Sequence, residues 1–542
     1  MLAYILIVVT VAIAVSSLAE KRHFQPALLV VMVGLLASYI PGIPRLDLPP
    51  EFILSIVLPP MLFSAARTFS FAEFRRRMGS IANLGIFLVF VSTLVVGSAA
   101  IGLLPDLLPV SALILGVVIA PPDAVTAISI GRRAGLPSSL MTVLKGESLI
   151  NDAAALTVFA VLVATASGTH AFIDNVPLYF FYTAALGIVI GLIIGNLAQW
   201  AHRWLSSPAL ATALSVVVPF AAYLSAEELH ASGILAVVSA GFAVGHHAVQ
   251  AGYEERMQEN AFWRTLDTLL ETFVFAYIGL QLRFVITDAD AAGFGAAELT
   301  LATLGIFAAT VLVRVAWVFG SALLGRWRYR KIAARRAADP RPTRSGRPRP
   351  APQPPLSWKE NLVLAWTGMR GVVTLAAAAG VPFLTASGAP FPGREAIVAL
   401  AFLVTIATLL IQGLTLPLLI ARLDLDDPGH RRFVAQQRAT AEHLVHEATE
   451  QALADYAKAH PDPASARLVA LMRTRLMQET DLEKPRNIES GAALALGKAL
   501  LENRRNRLVA ARDNLELDDT IVRDMLEKLD LEQAFMDSVT EG

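Results

Sequence analysis

Apolar residues run along this chain in long stretches separated by short polar punctuation, and the pattern changes character once, near residue 421. Before that point the runs are mostly about 18–25 residues, the length a helix needs to cross ~30 Å of hydrocarbon. Thirteen spans are predicted, at 2–19, 27–41, 51–66, 81–104, 108–130, 140–168, 178–201, 208–225, 229–247, 265–286, 297–325, 360–382 and 395–420. The run at 27–41 is short, and that at 51–66 is broken by Pro59 and Pro60. No positive leader precedes the first span and no small-residue cleavage site follows it, which predicts a retained helix rather than a signal peptide. Residues 1–421 therefore predict a transmembrane domain. Residues 422–542 carry mixed charge with helical periodicity and predict a small helical cytoplasmic domain, with a regulatory role expected. Its last part, NRLVAARDNLELDDTIVRDMLEKLDLEQ, predicts two helices with a turn near 516–519.

Composition sharpens this. Over 542 residues the chain is 55% hydrophobic and only 17% charged, against about 25% in an average soluble domain. Lys+Arg and Asp+Glu are both 45, a net charge of +0, so the basic surplus that nucleic-acid binding requires is missing. Cysteine count is zero, which excludes disulfides, thiolate metal sites and cysteine nucleophiles.

Loop charges set the orientation. One set of loops carries Lys21 and Arg22; Arg67, Arg75, Arg76 and Arg77; Arg132 and Arg133; Arg203; Arg256; and the basic run 326–349. The alternate set carries Arg45 and Arg394 and is otherwise neutral or acidic, with Asp106, Asp174, Glu227, Glu228, Asp288 and Asp290. By the positive-inside rule the N-terminus lies outside and the C-terminus in the cytoplasm, of what is expected to be the cell membrane. Residues 326–358, rich in Arg and Pro, predict a disordered cytoplasmic linker; the sharper reading is contact with anionic lipid headgroups.

Ionisable residues inside spans are costly, usually face a cavity, and are few here: Asp123, Glu147, Asp152, Glu271, Arg314 and Arg370. Glu51 and Arg67 sit at span edges and can snorkel. Asp123 follows Pro121 and Pro122, which remove two backbone donors and predict a broken helix. Such a break is tolerated where it lines a cavity or is buried in protein, and it frees carbonyls beside a carboxylate, chemistry that suits a hard cation. The plainer alternative is a proline kink whose Asp satisfies stray amides. In KGESLINDAAALTVF, Ser148, Asn151 and Asp152 share neighbouring helical faces and offer a hydroxyl, an amide oxygen and a carboxylate, ligands for Na⁺, Li⁺ or K⁺; a polar helix–helix contact is the alternative. Arg370 lies in a second breakable span with Gly368, Gly371, Gly380 and Pro382. The matching positions of these two spans predict an inverted repeat with two broken helices crossing at the midplane. There Arg370 could neutralise half-helix dipoles or partner a carboxylate. Glu147, Arg314 and Glu271 read as structural, with Arg314 paired to Glu147.

PPDAV, GESLINDAAALTVF, ETFVFAYIGLQL and GMRGVVTLAAA, in this order, resemble the monovalent cation:proton antiporters, the family of bacterial NhaP-type antiporters and animal sodium/proton exchangers. The resemblance covers residues 1–421, and the last 40 residues resemble the tail of bacterial members. GESLIND together with GMRG is a specific combination. It implies an all-α polytopic fold of about thirteen helices with inverted repeats, a homodimer, and a Na⁺ site at Asp152 with Ser148 and Asp123 contributing. It agrees with a buried Glu147–Arg314 bridge and with a role in pH homeostasis. Asn151 before Asp152 matches the electroneutral branch. Many members carry Thr before the Asp of the fifth span; here Pro122 offers no side-chain oxygen.

The expected function is secondary antiport of Na⁺, or of Li⁺ or K⁺, against H⁺, one for one, with cation and proton competing for Asp152. A K⁺-selective exchanger is the alternative. No enzymatic activity and no cofactor are expected, and no Walker GxxxxGK[ST] motif occurs. An intramembrane aspartyl protease using Asp123 and Asp152 lacks its GxGD signature, and a cation channel lacks a repeated filter sequence.

Overall fold

A computed structural model describes the chain apart from residues 1, 23, 47–48, 50–51, 70–77, 124–126, 129, 132–135, 169–174, 206, 248–250, 339–355, 424, 426–427, 478–490, 515 and 542. Glu51, the loop arginines at 75–77 and 132–133, and Asp174 thus lie outside the described residues.

Among the described residues the regular structure is helical, with one isolated bridge between Leu384 and Pro390. The order is α1 (Leu2–Lys21), α2 (Pro26–Ser38), α3 (Ile53–Thr68), α4 (Met78–Leu103), α5 (Pro109–Ile119) and α6 (Ser138–Ser167). Then follow α7 (Val176–His202), α8 (Pro208–Glu228), α9 (Gly233–His247), α10 (Tyr253–Ala291) and α11 (Ala296–Ala338). The split pair α12 (Trp358–Trp366) and α13 (Val372–Ala379) leads to α14 (Arg394–Leu423). Eight helices among the described residues are long and apolar enough to cross a membrane, and α2, α3, α5 and α9 are shorter apolar helices between them. The protein is therefore a polytopic membrane protein.

Two expectations change. Pro59 and Pro60 do not break α3: a π-helical turn at Ile53–Val57, in which the Leu58 N–H reaches the Ile53 carbonyl, leads into the two prolines and carries the chain past them. The Arg/Pro-rich stretch is not a linker from its first residue. α11 runs on through Ala338, because RWRYRKIAARRAA contains good helix formers and no proline before Pro340; residues 339–355 lie outside the described residues.

The chain divides into two compact units. The larger comprises Met1–Trp204, Ala213–Gly245 and Phe262–Asp426. Its helices approach closely where glycine permits: at Gly116 of α5 a side chain would run into the Thr93 carbonyl of α4. Phe63, Trp263, Phe275 and Phe402 are fully buried in its core. The smaller unit comprises Leu205–Thr212, His246–Ala261 and Asp427–Gly542, and holds α15 (Pro428–Ala459), α16 (Pro463–Met477), α17 (Gly491–Asp513) and α18 (Asp519–Glu541). Leu444, Leu508, Val522 and Leu526 form its core. Polar locks supplement this core. Asp530 accepts from Arg256 Nε at 2.9 Å and from Arg505 at 2.9 Å, while Asp537 meets Lys498 at 2.7 Å and the Tyr253 hydroxyl. The first turns of α10 therefore belong to the same folded unit as the tail helices.

Candidate ion-binding site

Two helices of the larger unit stop where their backbones meet. α5 ends at Ile119 and is followed by non-helical Ala120, Pro121, Pro122 and Asp123; Ala127 and Ile128 are again helical. Pro121 and Pro122 cannot donate, so the ladder ends there. α12 ends at Trp366, and Thr367–Gly371 stay non-helical before α13. The breaks interlock: the Asp123 N–H donates to the Met369 carbonyl at 2.6 Å. Arg370, 1% exposed, donates from Nε to the Ile119 carbonyl at 2.8 Å and from Nη2 to that of Ala120 at 3.4 Å. Nη1 turns back to the Gly368 carbonyl, and the Arg370 N–H donates to the Thr408 hydroxyl at 3.0 Å. The last carbonyls of a helix carry partial negative charge and lack intrahelical partners. A guanidinium laid across them answers both needs. Gly371 completes the crossing, since a Cβ there would overlap the Asp123 carboxylate.

α6 lies beside the break in α5. Ser148 and Asp152 are one turn apart, and both line the same cavity as Asp123. Asn151 sits behind them, fully buried. Its Nδ2 donates to the Pro122 carbonyl at 3.2 Å, and its Oδ1 has no hydrogen-bond partner among the described residues. Asn151 thus fastens α6 to the broken backbone.

These groups face a cavity of about 570 Å³. Asp123, Ser148 and Asp152 line one side, and Asp267 and Glu271 of α10 the other. Asn151 is not part of the wall. Exposed Thr68, Lys145 and Arg264 stand at the mouth. Glu271, read from sequence as structural, belongs to the cavity, and Asp267 is a wall residue that sequence reasoning missed. Asp267 accepts from Ser64 at 2.5 Å. Its signal was the spacing Asp267–Glu271, which places two acids on one helical face.

Glu147 points away from the cavity into protein. Arg314 binds it with both terminal nitrogens, Nη2 to Oε2 at 3.1 Å, and also donates to the Leu364 carbonyl from Nε at 3.2 Å and Nη2 at 3.0 Å. Both side chains are buried, so the bridge ties α6, α11 and α12 together next to the crossing.

Comparison with known proteins shows the family and the fold. Residues 5–422 match the family model described as sodium/hydrogen exchanger, transmembrane. A Mycobacterium tuberculosis protein named as an uncharacterized Na(+)/H(+) exchanger is 29% identical over 98% of this chain and 95% of its own. The Na(+)/H(+) antiporter ApNhaP of Aphanothece halophytica is 28% identical over 88% of this chain and 84% of its own. The structure of the sodium proton antiporter MjNhaP1 from Methanocaldococcus jannaschii shares the fold, with a TM-score of 0.60 at 19% identity over 79% of this chain and 99% of that one.

Proposed function

The chain belongs to the transmembrane sodium/hydrogen exchanger family, and we propose that it moves Na⁺ one way and H⁺ the other through the Asp152 site, one for one. The observation that carries this reading is the placement of Asp152, Ser148 and Asp123 on one cavity wall beside interlocked helix breaks. A buried carboxylate is costly when ionised and alone, so it takes either a proton or a cation. The Ser148 hydroxyl and the Asp123 carboxylate supply further oxygens for a hard monovalent ion. Asn151 is neutral and carries no second proton. Asp123 keeps its charge through the cycle, and Arg370 provides a fixed countercharge, so each load crosses with the same total charge.

The wider architecture follows the family pattern: thirteen helices in inverted repeats, assembled as a homodimer, with the N-terminus outside and the tail in the cytoplasm. On that orientation the cavity, with Lys145 and Arg264 at its mouth, faces the cytoplasm, and alternating access carries Asp152 to the other side.

Proteoliposomes with an internal pH dye test the reading. Addition of Na⁺ should move protons, and a K⁺/valinomycin potential should leave the final gradient unchanged. A gradient that shifts with voltage would overturn the one-for-one exchange and make Asp123 a second proton carrier. A response to K⁺ but not to Na⁺ would select the K⁺-selective alternative. No response to Na⁺, Li⁺ or K⁺ would reject antiport itself.

A further inference from the structure

The larger unit contains a second cavity, about 560 Å³, on the side of α6 away from Asp152. Its walls are built by the start of α4, by Val143 of α6, by the stretch of α11 from Val318 to Tyr329, and by Asn361 and Leu364 of α12. The ion site does not use it. Its position is set by α11, whose apolar run gives way at Gly325 to RWRYRK. An apolar run followed by Trp, Tyr and Arg marks the level of the membrane interface.

The lining has two characters. Arg328, Tyr329, Ser80 and Asn83 offer cationic, hydroxyl and amide donors. Arg328 is exposed and has no ion-pair partner among the described residues. Phe87 and Leu324 supply the apolar part, and both are more than half exposed, at 59% and 52%, on the surface that hydrocarbon would cover. A soluble anion would satisfy the donors and leave the apolar flank unused. A neutral lipid would do the reverse. The ligand that matches both is an amphiphile with an anionic head.

We propose that this cavity binds one anionic phospholipid, with its phosphate on Arg328 and an acyl chain along Phe87 and Leu324. The inner wall gives the site consequence. Val143 lies one turn before Glu147 on α6, and the carbonyl of Leu364 accepts Arg314. The lipid therefore rests on all three helices, α6, α11 and α12, joined by the Glu147–Arg314 bridge.

The test is retention of lipid by the full-length purified protein. It is loaded from vesicles of equal parts phosphatidylglycerol and phosphatidylcholine, stripped with detergent, and its bound lipid is counted by mass spectrometry. The readout is binding, so it does not depend on transport. Wild type should retain phosphatidylglycerol in preference to phosphatidylcholine. Arg328→Ala should lower that preference about fivefold, the effect of one cation near an anionic surface. Arg330→Ala, which removes the same charge from an exposed residue outside the cavity, should not lower it. Gly325→Leu should lower it without altering charge. A Cβ at that cavity-lining glycine meets nothing within 4 Å, so the added side chain can enter the space.

Equal losses in Arg328→Ala and Arg330→Ala would overturn the proposal in favour of diffuse surface charge. Full retention in Gly325→Leu would place the lipid elsewhere. Displacement by inorganic phosphate would make this a soluble-anion site. A preference that emerges only after deletion of residues 340–354 would assign the cavity to that segment of the chain.

Discussion

Arg370 and Ile119 join the two helix breaks through a hydrogen bond of 2.8 Å from a guanidinium to a backbone carbonyl. The bond matters for what it leaves out. Every hydrogen-bond acceptor found for Arg370 among the described residues is a backbone carbonyl or the Thr408 hydroxyl, and none of them is a carboxylate.

Arg370→Lys should therefore fail despite keeping the charge. An ammonium is a point donor and cannot span the Ile119, Ala120 and Gly368 carbonyls as a planar fork does. Each orphaned buried carbonyl costs about 1–3 kcal/mol. The expected outcome is a lowered melting temperature in detergent and loss of exchange in proteoliposomes. Wild-type transport in Arg370→Lys would show that charge alone suffices.

Asp152→Asn should abolish exchange in a protein that still folds, since an amide cannot alternate between proton and cation. Asp123→Asn should be nearly as damaging. The checks are dye-based transport on purified protein and an unchanged elution profile in size-exclusion chromatography.

Arg314→Ala leaves Glu147 buried without its partner, at a cost of about 3–5 kcal/mol. Glu147→Gln in the Arg314→Ala background should recover part of it. Thermal denaturation of the two single variants and the double closes the cycle, and strictly additive losses would remove the coupling.

Gly371→Ala adds one methyl group where the Asp123 carboxylate lies. The methyl forces the carboxylate off the cavity wall, so transport should fall at least as far as in Asp123→Asn, with a smaller stability loss than in Arg370→Lys. Exchange at the wild-type rate would mean that the crossing yields more than its packing implies.

The tail unit has its own pH dependence. Lys498 first, and then Tyr253, hold the Asp537 carboxyl below the usual carboxylate range. A carboxylate held low stabilises the fold above its unfolded value, and that contribution disappears as pH falls through the folded value. Protection of the tail amides in hydrogen exchange should decrease on acidification into and below the ordinary carboxylate range. Asp537→Asn should show less protection at neutral pH and a flatter response.

The apolar runs made the membrane helices legible, because hydrocarbon leaves a spanning backbone few alternatives. The break at Pro121 and Pro122 was legible from missing donors. The turn between α17 and α18 was legible because Asn514, Asp518 and Asp519 interrupt the apolar period. Asp267 was missed because it stands near the charged start of α10, where an acid looks like an ordinary loop-proximal residue; only the packing of α3 against α10 brings it into the cavity. The placement of Asn151 was not legible for a related reason. Sequence counts an amide as an oxygen donor, whereas packing turns its nitrogen to Pro122 and moves the group behind the wall. The passage of α3 through two prolines depended on a widened turn, for which no residue type is diagnostic.

The close approach of Gly371 to Asp123 also marks where ion preference can be redesigned. A library that randomises the crossing should return glycine at 371 whatever cation is selected, because the backbone there is itself part of the wall. Variation is open on the α6 side, where Ser148 presents a side chain rather than backbone to the cavity. New selectivity should therefore arise from replacing hydroxyl and carboxylate reach along α6, with the interlocked breaks kept as an invariant chassis.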